Sequence, residues 1–579
     1  MNISIIDWAI IGTYCAFMLG LGIYYSKRAS KNVQSYFLSG RTLPWWIIGT
    51  SMVATTFSAD TPLAVTEYVH NGGIWRNWFW WNTALGGLLS VFLFAHLWRR
   101  AKVITDNELI EIRYAGKSAA GLRAFKAVYF STIYNFVVMA WVIQAMSTIL
   151  GELLGIPKDQ QWLSIGICVT IALGYTVLSG FWGVVMTDIY QFAMGMVGAI
   201  ALAIICLGKV GGIGELKSKL AALPSSHEST LSFIPPLDGT PSPLHAEFWT
   251  SPTFTLIIFL GLMWWSAHNA DGGGYIIQRM SAAKDERHAT IATLWFNIAQ
   301  YALRVWPWII VALVTMVAFP ELSGDRAKEA YPRAISTFMP VGLKGITIAS
   351  FLGAFMSTID THLNWGTSYL INDVYKRFLV REATPRHYVL ISRCCCIVLM
   401  LIAAVVAMHI DSISKAWEFL LPMGAGVGLV LILRWFWWRI NAWSEIAGLS
   451  SSVIINLIIQ PFGLQVQHRI AIIVPSSIAI WVTVTFLTKP VPKERLVEFY
   501  KRVRPGGFWG PIREEIKDVG KGSIGWHTLV NWIAGVFLIY GTTFGIGKMI
   551  FQDFVTGGVL LGLAAVGAVV IYFNFPKHD

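Results

Sequence analysis

Long apolar runs alternate along the whole chain with short polar connections. Runs near 6–26, 44–70, 78–98, 127–153, 161–183, 184–208, 252–277, 290–319, 334–375, 388–410, 412–437, 442–462, 470–488, 527–547 and 554–574 reach the length a helix needs to cross a hydrocarbon core, about 20 residues. The pattern predicts an all-α polytopic membrane protein with about 15 transmembrane helices. The connections near 27–42, 99–126, 278–289, 376–387 and 489–526 hold most of the Lys and Arg and are alternate loops. The positive-inside rule then predicts a plasma (inner) membrane protein with its N-terminus outside and its C-terminus inside.

Composition sharpens the class. The chain is 55% hydrophobic and 13% charged, with 27 Trp, which excludes a soluble globular protein. A net charge of +12 in a soluble protein would suggest nucleic acid, but here the charge follows orientation, so the bilayer is the expected partner and nucleic acid is not. Asp7 precedes the first run and Lys27, Arg28 and Lys31 follow it, the reverse of a signal peptide, so a retained span is expected. Cys15, Cys168, Cys206 and Cys394 to Cys396 lie in apolar segments and are read as packing residues. No phosphate-binding glycine loop, metal-ligand cluster or nucleophile–base pair stands out, so no enzyme is expected.

Two expected spans are interrupted at mid-length. The second carries Ala54-Thr-Thr-Phe-Ser-Ala-Asp-Thr-Pro62, where Pro62 lacks a backbone donor. The seventh carries Trp264-Trp-Ser-Ala-His-Asn-Ala-Asp-Gly-Gly-Gly274, where three glycines weaken the helix beside His268, Asn269 and Asp271. Irregular backbone at membrane depth persists only against protein or a water-filled cavity. The two breaks open consecutive five-span groups, 44–208 and 252–437. Five is odd, so the second group starts from the opposite face, which predicts an inverted repeat with a site at the paired breaks. Around this core, 1–43 is an extra span and inside loop, and 209–251, rich in Pro (Pro224, Pro235, Pro236, Pro241, Pro243), is a partly ordered outside cap. Extra spans and the basic loop 489–526 make up 438–579. That loop reads either as a solvated linker or as a surface helix touching anionic head groups through Phe499, Tyr500, Phe508 and Trp509. The aromatic runs at Trp75–Trp81, Trp306–Trp308 and Trp435–Trp438 read mainly as interfacial belts.

Between Gly353 and Tyr375 a membrane-length segment carries a stripe of hydroxyls and two aspartates. Ala354, Ser357, Thr358 and Thr361 fall at i, i+3, i+4 and i+7 and share one helix face, with Asp360 about 60° to its flank. Such a face suits a dehydrated cation, or close packing between helices.

The stretches S-Y-F-L-S-G-R-T-L-P-W-W at 35–46, T-D-I-Y-Q at 187–191, Y-I-I-Q-R at 275–279 and M-S-T-I-D-T-H-L-N-W-G-T-S-Y-L-I-N-D-V-Y at 356–375 together resemble the sodium:solute symporter family, from the first span to about residue 440. The resemblance implies a leucine-transporter-like inverted repeat and a sodium ion (Na+) held by the carbonyls of Ala54, Phe57 and Ala354 and the hydroxyls of Ser357 and Thr358. Neutral oxygens freed by a broken helix suit a hard cation that must also be released. The resemblance also makes Asp188, with Asp360 and Thr361, a candidate second sodium site. A proton at Asp188 or Asp360 is one alternative, and Asp188 as a helix N-cap after Ser179-Gly180 is another.

Thr61, Ser266 and Asn269 are expected to line the substrate cavity, with Asp60 and Asp271 close by as acceptors or as partners of His268 or an Arg. Asn269 and Ser266 stand where sugar-transporting relatives carry an aromatic gate and an asparagine, so sugar specificity is not implied. The scarcity of Arg and Lys in the core spans argues against a strongly anionic solute. The expected function is sodium-coupled symport of a small polar organic solute, a sugar, polyol or amino acid, by alternating access. The alternatives are proton-coupled symport and a membrane sensor that binds solute without moving it.

Overall fold

The computed structural model describes residues 3–29, 37–223, 230–237, 239–410, 412–516 and 524–575. Lys31, Ser35 and Tyr36, Pro224, and residues 517–523 of the basic loop lie outside the described residues. Among the described residues the chain is helical, with only two isolated bridges, Leu43 to Ala283 and Trp437 to Phe508, in place of any strand.

The spans are α1 (Ile5–Ala29), the broken pair α2 (Trp45–Thr56) and α3 (Asp60–His70), α4 (Ile74–Ala101), α5 (Gly116–Leu154) and α6 (Gln161–Val210). A second broken pair follows, α7 (Pro252–Ser266) and α8 (Gly274–Ala282), then α9 (Glu286–Ala318), α10 (Leu343–Ser368) and α11 (Pro385–Ala407). The bent pair α12 (Ile413–Met423) and α13 (Gly428–Phe436) precedes α14 (Ala442–Phe462), α15 (Val466–Leu487), α16 (Trp526–Ile550) and α17 (Phe554–Phe573).

Among the described residues, 10 helices are long and apolar enough to cross a membrane, or 11 if the bent pair counts as one span. That is fewer than about 15, and the shortfall has a location. The broken pairs α2/α3 and α7/α8 are each too short in one piece, and α10 is too polar. Helix α10 tolerates its polarity because it is buried on nearly every side. Its solvent is protein rather than lipid.

The turn expected between 183 and 184 is absent. Gln161–Val210 is one continuous helical run of 50 residues, in which Phe181–Val210 meets the demands of a span and Gln161–Gly174 is a shorter apolar helix. No proline interrupts the run, and Gly180 and Gly183 permit a turn without forcing one. Asp188 therefore lies inside a helix and caps none.

Two surface expectations also change. The helix Lys493–Val503 in the basic loop buries Leu496, Phe499, Tyr500 and Val503 in the same apolar cluster as Leu97, Trp98 and Trp435 of the spans. Arg100 donates to the Val503 carbonyl at 2.9 Å and Trp509 to that of Trp435 at 3.0 Å, so this helix and Trp509 are docked on the bundle and are not a free linker; Phe508 and Trp526 stay exposed. Trp75, Trp78, Trp81, Trp306, Trp308 and Trp435 are buried in the core, so these aromatic runs pack the bundle instead of marking its interfaces. Part of the 209–251 connection docks on the bundle: Trp78 donates to the Phe233 carbonyl at 2.8 Å and the Ile74 amide to that of Thr230 at 2.9 Å.

The second break is held from outside by α13. A Cβ on Gly428 would sit 2.3 Å from the Trp265 carbonyl oxygen and from the Ser266 carbonyl carbon, so only glycine lets α13 approach the end of α7 this closely. Gly428→Ala is expected to destabilise the protein by about 1–3 kcal/mol through overpacking against backbone. The check is its unfolding temperature in detergent; an unchanged value would show that α13 does not seal the break.

Candidate functional site

The first break lies between Thr56 and Asp60. Phe57 closes α2 with its amide bonded to the carbonyls of Val53 at 2.8 Å and Ala54 at 3.1 Å. Pro62 falls in the first turn of α3, where its missing donor costs nothing. Thr56 donates to Gln300 Oε1 on α9 at 2.6 Å, which pins the break to a neighbouring helix. Gly195 of α6 gives the Phe57 ring its place, since a Cβ there would sit 2.6 Å from Phe57 Cε1. At the second break Gly272 and Gly273 have φ of 128° and 72°, left-handed values that favour glycine.

The hydroxyl stripe of α10 meets the first break directly. Thr358 Oγ1 donates to the Thr55 carbonyl at 2.8 Å and to the Ala354 carbonyl at 3.1 Å. Thr55 and Thr361 bring their hydroxyls to 2.9 Å. Ser357 donates to Asp188 Oδ1 at 2.6 Å and Ser51 to Asp188 Oδ2 at 2.5 Å. All of these side chains are buried. The structure thus brings Thr358 of α10 to the Thr55 carbonyl at the end of α2 and Ser357 of the same face to the Asp188 carboxylate.

Asp188 and Thr361 also meet a residue not singled out in the sequence. Arg279 of α8 donates to Ser51 at 2.8 Å, Thr55 at 2.8 Å and Thr361 at 2.7 Å, and its Nη2 lies 3.4 Å from Asp188. A guanidinium already engages the oxygens expected around a second ion. Asp360 faces elsewhere: Thr176 donates to its Oδ1, and its Oδ2 has no partner among the described residues.

Beside the break lies a cavity of about 260 Å3. Of the expected substrate residues it is lined by Thr61, Asn269 and Asp60, and Asn269 is exposed although it lies midway along the seventh span. Ser266 and Asp271 do not line it. Ser266 is packed at α13 and donates weakly to the Met263 carbonyl at 3.4 Å. Asp271 accepts from Arg434 at 2.5 Å and Trp435 at 3.0 Å, the Arg-partner alternative realised.

The lining residues not anticipated include Gln300, Arg304, Tyr275, His362, Trp141 and Trp417. His362 is fixed by Asn135 at 2.6 Å and its ring lies 5.4 Å from that of Tyr275. Arg304 places a buried cation in the cavity wall, which the scarcity of Arg and Lys in the core spans did not anticipate. The Y-I-I-Q-R and A-L-R-V runs were the signals available; only the fold shows which way their arginines point.

Residues 36–450 match the family model described as Sodium:solute symporter family. The chain is similar to a sodium/glucose cotransporter of Vibrio parahaemolyticus, 24% identical over 78% of this chain and 84% of that protein. It is also similar to a sodium/mannose cotransporter of Bos taurus, 26% identical over 78% of each. A human sodium/myo-inositol cotransporter 2 is 24% identical over 78% of this chain and 69% of its own length. The structure shares its fold with a sodium-coupled sialic acid symporter solved in an outward-open state, with a TM-score of 0.67 and 21% identity over 84% of this chain and 99% of that one. The leucine-transporter-like core with flanking helices is thereby the fold class.

The Asp271–Arg434 pair is a structural tie and generates a stability prediction. Asp271→Asn removes one partner of a buried pair and is expected to cost about 3 kcal/mol. Unfolding temperature in detergent checks it, and no change would mean the pair holds nothing together.

Proposed function

This chain belongs to the sodium:solute symporter family, and from that premise we propose that it couples inward sodium flow to uptake of a small polar organic solute by alternating access. It is a multi-pass membrane transporter and not an enzyme. We take the sodium to bind the carbonyls of Ala54, Phe57 and Ala354 and the hydroxyls of Ser357 and Thr358, and the solute to occupy the cavity lined by Thr61, Asn269 and Asp60. The observation that carries this reading is the 2.8 Å bond from Thr358 to the Thr55 carbonyl, which ties the hydroxyl face of α10 to the broken second span. Five neutral oxygens satisfy a hard monovalent cation without a formal charge that would hold it too tightly. The orientation with the N-terminus outside follows from the loop charges.

Sodium binding between α2 and α10 would fix the break that also walls the cavity, so ion and solute stabilise one arrangement of the same backbone. At about 100 mV one positive charge moving inward releases about 2.3 kcal/mol. A tenfold sodium gradient adds about 1.4 kcal/mol. Together these support accumulation of a neutral solute by roughly 500-fold. One ion is enough for scavenging. We read the Asp188 group as engaged by the protein's own cation, Arg279, in place of a second sodium. A second reading, proton-coupled symport through Asp360, draws on the unpartnered Oδ2 of that residue; uptake driven by a pH gradient without sodium would favour it.

Ser357→Ala and Thr358→Ala are each expected to raise the sodium concentration for half-maximal uptake by roughly tenfold, about 1.4 kcal/mol for one lost oxygen. Unchanged sodium dependence in both variants, with normal membrane insertion, would remove the assignment. Reversal-potential measurements on proteoliposomes are expected to return one sodium per solute; a count of two would return Asp188 and Thr361 to the role of ion ligands.

A further inference from the structure

We infer that the transported solute carries a carboxylate held by Arg304 and a hydrogen-bond donor held by Asp60; the inference rests on the symport reading above. Arg304 lies near the middle of α9, directly after a π-helical turn at Ala299–Leu303. Such turns insert an extra residue into a helix and recur at functional sites. Gln300 within the turn and Arg304 after it both line the cavity.

The guanidinium is fixed on three sides. Its Nε donates to the Gln300 carbonyl at 3.3 Å and its Nη1 to the Val53 carbonyl at 3.4 Å, while its carbon lies 5.7 Å from the Phe57 ring and 5.1 Å from the Trp308 ring. Nη2 is buried and has no partner among the described residues. Two other buried arginines of the spans, Arg279 and Arg434, make a direct contrast. Arg279 contacts Asp188 at 3.4 Å and Arg434 contacts Asp271 at 2.5 Å, but Arg304 has no acidic side chain at ion-pair distance among the described residues. Arg304 and Asp60 are each almost wholly buried, at 1% and 2% exposure. Asp60 lines the same cavity at the start of α3, and its Oδ1 also lacks a partner.

A buried cation without a counter-charge is costly, and a ligand that supplies one recovers that cost on binding. Guanidinium and carboxylate match in shape and form strong charge-assisted bonds. Asp60 accepts what a carboxylate cannot offer, a hydroxyl or ammonium donor from the remainder of the solute. A neutral polyol would bring no acid into contact with Arg304. The cavity of about 260 Å3 lies below the 300–1,000 Å3 usual for drug-sized ligands. The solute class is therefore a small hydroxy acid or amino acid.

The test uses the purified full chain in detergent with sodium present. Thermal shift is measured against sodium salts of small hydroxy acids and against amino acids, each paired with its own primary amide, for example gluconate with gluconamide and alanine with alaninamide. Stabilisation by an acid at concentrations roughly tenfold below those its amide requires is the expected result. Arg304→Gln should weaken binding of that acid by about 100-fold, and Arg304→Lys, which keeps the charge, by less. Asp60→Asn separates the two sources, lowering affinity for an amino acid more than for a hydroxy acid. Amides or neutral polyols binding as tightly as acids, or an acid affinity within twofold of wild type in Arg304→Gln, would overturn the inference. Failure of the symport reading has a different signature, an acid that binds equally with and without sodium.

Discussion

Backbone carbonyls released from a helix inside a membrane must find partners, because hydrocarbon offers none. In this protein the interruption between Thr56 and Asp60 is met by the hydroxyl face of α10, with Thr358 bonded to the Thr55 carbonyl and Thr55 to Thr361. The rest of the arrangement follows from that meeting. Helix α10 has to be buried to bring its hydroxyls there, α6 has to place Asp188 behind Ser357, and α9 has to offer Gln300 to Thr56. Thr358, which meets the break, is also one of the ligands proposed for sodium.

The buried charges sort into two kinds. Arg434 bridges Asp271 and Glu445, and Arg279 is engaged by Asp188 and three hydroxyls; both are closed groups in which each charge meets its opposite. Closed groups set the relative position of helices, as α13 does for the second break. Arg304 and Asp60 form the open kind, facing one cavity without touching. An open pair is stabilised when a ligand enters between its members, which links solute binding to the same segment whose carbonyls we propose as sodium ligands.

Much of this was legible in the residues. The period of Ala354, Ser357, Thr358 and Thr361 marked a single face, and Pro62 and Gly272–Gly274 marked the breaks, because helix period and backbone chemistry are local properties. The packing partners were not local. Arg279 and Arg304 each sit in an otherwise apolar run, and nothing in the order of residues tells whether such a side chain reaches an aspartate, a cavity or an interface. Ser266 and Asp271 illustrate the same limit: they flank the second break in sequence, yet the close approach of α13 draws both away from the cavity. The tryptophan runs were misplaced because an aromatic cluster reads alike whether its neighbours are lipid head groups or other helices.

The central claim is that one alkali cation is held between the broken second span and α10. A density map of the protein in sodium, at a resolution that separates ions from side chains, tests it most directly when compared with a map in potassium. The account predicts a discrete sodium-dependent feature bounded by the carbonyls of Ala54, Phe57 and Ala354 and the hydroxyls of Ser357 and Thr358. Identical maps in the two salts, with Thr358 still donating to the Thr55 carbonyl and no feature between the helices, would contradict it.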